Sequence, residues 1–215
     1  MSPKITTAHE QGQRDRILEA ATRCFAQRGF HEATIQDICD RAGLSKGGIY
    51  TYFRSKDEIL AALIEYNTTD AMRWATAAAG QGGSVLQRLE RIADTLIERV
   101  IGSDGSKTHT PQLMIEVWAE ASKDPELGDL LARGYDQWRT FVTQLFREGI
   151  ASGEIRADID PELLAAIVVA MFDGLTLQES ITKRKVNWRH VVATLRQTFI
   201  AGIIAAAAPA QEAQA

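Results

Sequence analysis

From Arg14 onward the apolar residues of this chain recur three and four positions apart, and no segment alternates with period two for long enough to make a strand. That periodicity predicts an all-α fold. Ile17, Leu18, Ala21, Cys24 and Phe25 make the first stripe, which Gly29 ends as a left-handed cap with Phe30 packed back under it. Thr34 has the chemistry of an N-cap, with Asp37 in the first turn behind it. This second helix buries Ile35, Ile38, Cys39 and Ala42 and stops at Gly43. Ser45 caps a third helix running to about Phe53, with Ile49 and Phe53 inward. Two short helices joined by Ala42-Gly43-Leu44 read as a helix-turn-helix, and Gly43 suits the turn because it takes positive φ without a Cβ clash.

The remainder reads as longer helices separated by breakers. Ser55 caps a helix that ends at the Gly80-Gly82-Gly83 stretch. Further helices are predicted from Ser84 to about Ile101, Pro111 to about Ser122, Pro125 to about Ser152, Pro161 (after Asp160 as cap) to about Thr182, and Asn187 to about Ala207. Residues 102–109 read as loop. The count is about nine helices.

Charge is unevenly spread. Net charge is −4, yet residues 1–56 hold nine Lys/Arg against six Asp/Glu, so the rest of the chain carries −7. A basic head on an acidic body suits a protein whose head alone meets a polyanion. The two cysteines, Cys24 and Cys39, have no metal-ligand or disulfide spacing and read as small core residues, so no metal site or cofactor is expected. His9, His31, His109 and His190 are scattered, without a zinc-protease, nucleophile-elbow or phosphate-loop pattern, so no enzyme is expected. Residues 1–13 lack the apolar stretch of a signal peptide, and the longest apolar runs, 163–172 and 199–210, fall short of the roughly 18 residues of a membrane span. A cytoplasmic protein without a membrane partner is the expectation.

The stretch Ala33-Thr34-Ile35-Gln36-Asp37-Ile38 through Ala42-Gly43-Leu44-Ser45-Lys46-Gly47-Gly48-Ile49-Tyr50-Thr51-Tyr52-Phe53-Arg54-Ser55-Lys56 resembles the tetracycline-repressor (TetR) family signature, and Ala21, Phe25, Gly29 and Phe30 fit it upstream. The resemblance covers residues 14–64. It implies a homodimeric regulator of transcription, a repressor released from double-stranded operator DNA by a small apolar or amphipathic effector. The regions would be a flexible arm (1–13), a DNA-binding helix-turn-helix unit (14–60), a ligand-sensing and dimerisation unit (61–207) and a disordered tail (208–215).

Residue chemistry adds detail. Thr34 and Ser45, at helix N-termini, suit phosphate, as do the donors of Tyr50, Tyr52 and Lys56. Lys46, near the start of the recognition helix, is the natural reader of guanine in the major groove. Gln36 reaches from the second helix, while Gly47, Gly48 and Thr51 complete the DNA-facing stretch. Gly48 stands where many relatives carry Thr, Ala or Ser, so a side-chain contact is lost there.

An effector cavity needs apolar walls and a few convergent polar groups. Met72, Leu113, Met114, Trp118, Trp138, Phe141 and Met171 are candidate walls; Glu116, Tyr66, Gln112, His109 and Asp173 are candidate polar handles. Asp173 interrupts an otherwise apolar run, and the favoured reading places it across a dimer interface rather than in the pocket. The stripes Leu163–Leu175 and Val191–Ile203 fit a dimer bundle. Two alternatives stay open: an activator or ligand-independent regulator of the same fold, and an enzyme domain carried on a DNA-binding head.

Overall fold

The computed structural model describes residues 7–101, 111–182, 184 and 186–204. Among them are nine α-helices of five residues or more: α1 Thr7–Arg28, α2 Ile35–Ala42, α3 Lys46–Tyr50, α4 Lys56–Ala79, α5 Val85–Ile101, α6 Pro111–Ala121, α7 Pro125–Ala151, α8 Pro161–Thr182 and α9 Trp188–Leu195. A π-helical turn, Arg196–Ile200, and a short helix, Ala201–Ile203, continue α9. One isolated antiparallel bridge joins Ile155 to Ile204, where Arg156 N–H donates to the Ile203 carbonyl at 3.0 Å. The described residues are thus all-α, as their periodicity implies.

Local chemistry explains the boundaries. At α2, Thr34 Oγ1 accepts from Asp37 N–H (3.1 Å) while the Asp37 carboxylate accepts from Thr34 N–H (2.8 Å), a reciprocal capping box. Those hydrogen bonds, with Arg28 beside them, hold the Asp37 carboxyl below its ordinary range. Gly43, at φ 62°, closes the helix, and Leu44 N–H returns to the Cys39 carbonyl. Asp124 and Asp160 cap α7 and α8 by accepting two backbone N–H bonds each, with proline following in both.

Three boundaries differ from the sequence reading. Residues 7–13, expected to lie in the flexible arm, belong to α1; Gln11 donates to Asp15 one turn on, and adding turns to an existing helix needs no new nucleus. The recognition helix stops at Tyr50 rather than Phe53, because Tyr52 N–H tightens onto the Ile49 carbonyl. The last helix is interrupted by its π turn. The expected loop at 102–109, with His109, and the tail at 208–215 lie outside the described residues.

Two apolar cores form. One gathers Ile17, Phe25, Ile38, Ile49 and Leu60 from the first four helices, with Phe53 between α3 and α4, and also takes Leu113 and Val117 of α6 and Leu127 of α7. The other joins Ala78, Ile92, Leu145, Phe146, Leu164 and Ile203. Cys24 and Cys39 are buried and free in the first core, and burial raises both thiols, which makes them inert packing groups. The helix-turn-helix is therefore packed directly onto α6.

Candidate nucleic-acid interface and internal cavity

α3 presents an exposed edge made by Ser45, Lys46, Gly47, Tyr50 and Thr51. Ser45 Oγ accepts from Gly48 N–H at 3.1 Å, which leaves its own hydroxyl proton free to donate outward. Lys46 has no hydrogen-bond or ion-pair partner among the described residues, and Tyr50 is 51% exposed. An added Cβ on Gly47 would meet nothing nearer than Ser45 Oγ at 3.9 Å, so this face is bare. Gln36 donates to Asp40 (2.7 Å) and keeps its amide oxygen available.

Other members of the expected set are already occupied. Thr34 Oγ1 donates to Asp37 at 2.7 Å, and Thr51 Oγ1 donates to the Gly47 carbonyl at 2.9 Å, so neither hydroxyl has a proton left for phosphate. Tyr52 is half-buried against the first core. Arg14 lies over the Phe53 ring at 4.5 Å.

Lys56 requires the largest correction. Its ammonium donates to the carbonyls of Phe30 (2.7 Å), His31 (3.1 Å) and Ala33 (2.7 Å), and it sits 4.9 Å from the Phe30 ring centre. An ammonium has three protons, and all three are engaged. Lys56 clamps the turn between α1 and α2 instead of facing outward to phosphate. From the other side Glu116 of α6 accepts from Phe30 N–H at 2.6 Å, and Glu120 pairs with His31 at 3.1 Å.

Behind this turn lies a cavity of about 570 Å3 bounded by α4 to α9, with Glu19 of α1 at its edge. Tyr66, Met72, Met114, Trp138, Met171 and Asp173 line it as expected candidates. Five others do not: Leu113 lies in the first core and Glu116 at the clamped turn. Gln112 is exposed elsewhere, Phe141 stacks behind Trp138 at 5.8 Å, and Trp118 stands one layer back, its indole N–H donating to Tyr135 Oη at 2.8 Å. Asp173 faces the cavity, where Tyr135 lines the wall with it, against the interface reading. Burial raises its carboxyl, and burial together with Asp173 raises the Tyr135 phenol.

The sequence reading missed Tyr135, although its spacing of three from Trp138 puts both on one face of α7. It also missed Trp74, 5.7 Å from Trp138, and the rim ion pairs Asp70–Arg99 and Glu90–Arg196, which join different helices and leave no trace in local spacing.

Comparison with known proteins agrees with this arrangement. Residues 17–63 match the bacterial regulatory proteins of the tetR family, and residues 86–205 match the C-terminal domain of BetI-type transcriptional repressors. The chain is 30% identical over 175 residues to the HTH-type transcriptional regulator YfiR of Bacillus subtilis, covering 81% of this chain and 83% of that protein. It is 27% identical over 174 residues to the transcriptional repressor DhaR of a Mycobacterium species, covering 80% and 84%. A transcriptional regulator from Saccharomonospora viridis, solved in complex with choline, superimposes with a TM-score of 0.78 at 29% identity, over 91% of this chain and 100% of that one.

Proposed function

The chain belongs to the TetR family of bacterial regulatory proteins, and on that premise we propose that it is a repressor which holds operator DNA as a homodimer and releases it when a small apolar or amphipathic molecule fills the cavity. It is a DNA-binding transcriptional regulator, and its family consists of regulators rather than enzymes. Its work lies in the cytoplasm, where the chromosome is. Residues 14–60 act as the DNA-binding unit and 61–207 as the sensing and dimerisation unit. Lys46 reads a base, while Ser45 and Tyr50 hold backbone phosphates.

One observation carries this reading: the helices that wall the cavity also hold the helix-turn-helix. α4 contributes Tyr66 and Met72 to the wall and Lys56 to the clamp; α6 contributes Met114 to the wall and Glu116 to the clamp. A molecule that spreads α4 from α6 pulls the turn at residues 29–33 from two sides and re-aims α3. Such a ligand acts only by binding the re-aimed state more tightly than the DNA-competent one. A hundredfold release needs about 2.7 kcal/mol of coupling. The choline complex of the Saccharomonospora viridis protein supports small-molecule control in this fold.

The dimer follows from α8. By length and composition this helix is apolar enough to cross a membrane, but its exposed positions Leu163, Ile167, Ala170, Leu177 and Ile181, with half-buried Gly174 among them, alternate four and three apart, a seam for one partner helix. A second copy, as is usual in the family, covers that seam and sets two α3 helices over half-sites roughly 34–36 Å apart. The test is a paired titration: operator sequences are selected from genomic DNA, then ligand affinity is measured with and without operator. Linkage requires operator to weaken an inducer by the same factor as the inducer weakens operator. Equal ligand affinities in both titrations reject the proposed release.

A further inference from the structure

Several carboxylates line the cavity, and most of them have a cation. Asp70 is paired with Arg73 and Arg99, Glu90 with Arg196 at 2.9 Å, and Glu19 with Arg23 at 3.9 Å. Asp173 has no ion-pair partner among the described residues, and it is half-buried on an apolar helix. A carboxylate partly withdrawn from water is costly unless paired, and Arg139 acts on it only through space, without an ion pair.

Hydrogen-bond direction sharpens the point. Trp118 Nε1 can only donate, so Tyr135 Oη accepts from it at 2.8 Å. The phenol then keeps its own proton, and Tyr135 lines the cavity together with Asp173. The Asp173 carboxylate is thus left with acceptor capacity facing the cavity. Around it stand the rings of Trp74, Trp138 and Phe172 and the thioether of Met171, surfaces that attract a desolvated cation and an apolar body together.

We propose that the effector is a hydrophobic amine in its protonated form, its N–H donating to Asp173 and its apolar body lying against Trp74, Trp138 and Met171. This assignment rests on the effector-cavity reading above and names the chemical class that the cavity selects. An anion is disfavoured because Asp173 repels it, and a neutral isostere leaves the carboxylate without a counter-charge. A quaternary ammonium satisfies the charge but offers no N–H to the carboxylate.

Four matched probes test it by calorimetry on the full-length protein: 4-phenylbutylamine, its trimethylammonium analogue, 4-phenylbutanol and 4-phenylbutanoate. The amine is expected to bind the tightest, by about tenfold or more over the alcohol, a ratio that corresponds to about 1.4 kcal/mol. In Asp173→Asn the amine and alcohol converge to within about threefold, while retained alcohol binding shows the cavity intact. The wild-type comparison decides alone if that variant does not fold. An amine no tighter than the alcohol, a trimethylammonium or carboxylate analogue that binds best, or an amine preference that survives in Asp173→Asn overturns the proposal and leaves the effector cavity standing. Failure of all four probes to bind overturns the cavity reading and the amine assignment with it.

Discussion

Replacing Lys56 with Met separates two roles that a lysine at a DNA-binding unit can play. The side chain keeps its length and apolar stem and loses only the ammonium. Of the three carbonyls it holds, those of Phe30 and Ala33 are half-buried and that of His31 is exposed. A hydrogen bond to a charged group contributes roughly 1.5–3 kcal/mol when buried. Water can replace the exposed bond and part of the other two, so the loss should fall near the low end, about 1.5–2 kcal/mol. Urea unfolding followed by tryptophan fluorescence measures this as a lower midpoint at unchanged slope. Lys56→Arg should not restore it, because a planar guanidinium cannot converge on three carbonyls as an ammonium does. The salt dependence of operator binding by folded Lys56→Met should keep the wild-type slope, since no phosphate contact is removed. An unchanged unfolding midpoint together with a slope reduced by roughly 0.9 would refute the clamp and restore Lys56 as a phosphate contact.

Three further outcomes follow from other parts of the molecule. Lys46→Ala should cost about 1–3 kcal/mol of operator affinity and relax preference at one position per half-site, as read by binding to a library of single-base operator variants. Ile167→Glu, in the middle of the exposed α8 seam, should give a monomer in sedimentation at micromolar concentration with its helix content kept; an intact dimer would remove α8 from the interface. Asp173→Asn should raise the thermal midpoint of the empty protein near neutral pH. Burial raises the folded carboxyl, outweighing the lowering by Tyr135 and Arg139, so the stability linked to its protonation is complete below the unfolded value and lost as pH rises through the folded one. The gap between variant and wild type should therefore close on acidification, and a gap that widens would reverse the sign of the argument.

Much of the fold was legible because helix ends are written locally. Thr34, Ser45, Ser55, Asp124 and Asp160 cap the helices they precede, and Gly43 closes α2 with the positive φ its lack of a Cβ permits. The exposure of Lys46 and Tyr50 was equally open to reading, since it depends on short-range spacing. What stayed hidden is what spacing does not encode. Lys56 sits in sequence like a phosphate-binding lysine, and only the approach of the turn 23 to 26 residues earlier consumes its protons. Asp173 carries the same ambiguity: its burial was foreseeable, but its place on the cavity wall with Tyr135, a residue on another helix, was not. Trp118 was placed on the wall from its size, whereas its indole N–H fixes it one layer behind.

The bare face of α3 has a consequence for the set of sites this regulator can serve. With Gly47 and Gly48 side by side, few groups per half-site are left to tell one base from another, although an added Cβ at Gly48 would meet Ser45 Oγ only at 3.4 Å. A reader with so short an alphabet tolerates spelling variation, so it suits a scattered collection of near-matching operators under one signal better than a single invariant address. Each glycine costs roughly 1 kcal/mol of helix stability relative to alanine. A single mutation that fills either position would firm the helix and narrow the collection in one step, which makes these two residues the cheapest point at which the circuit can be rewired.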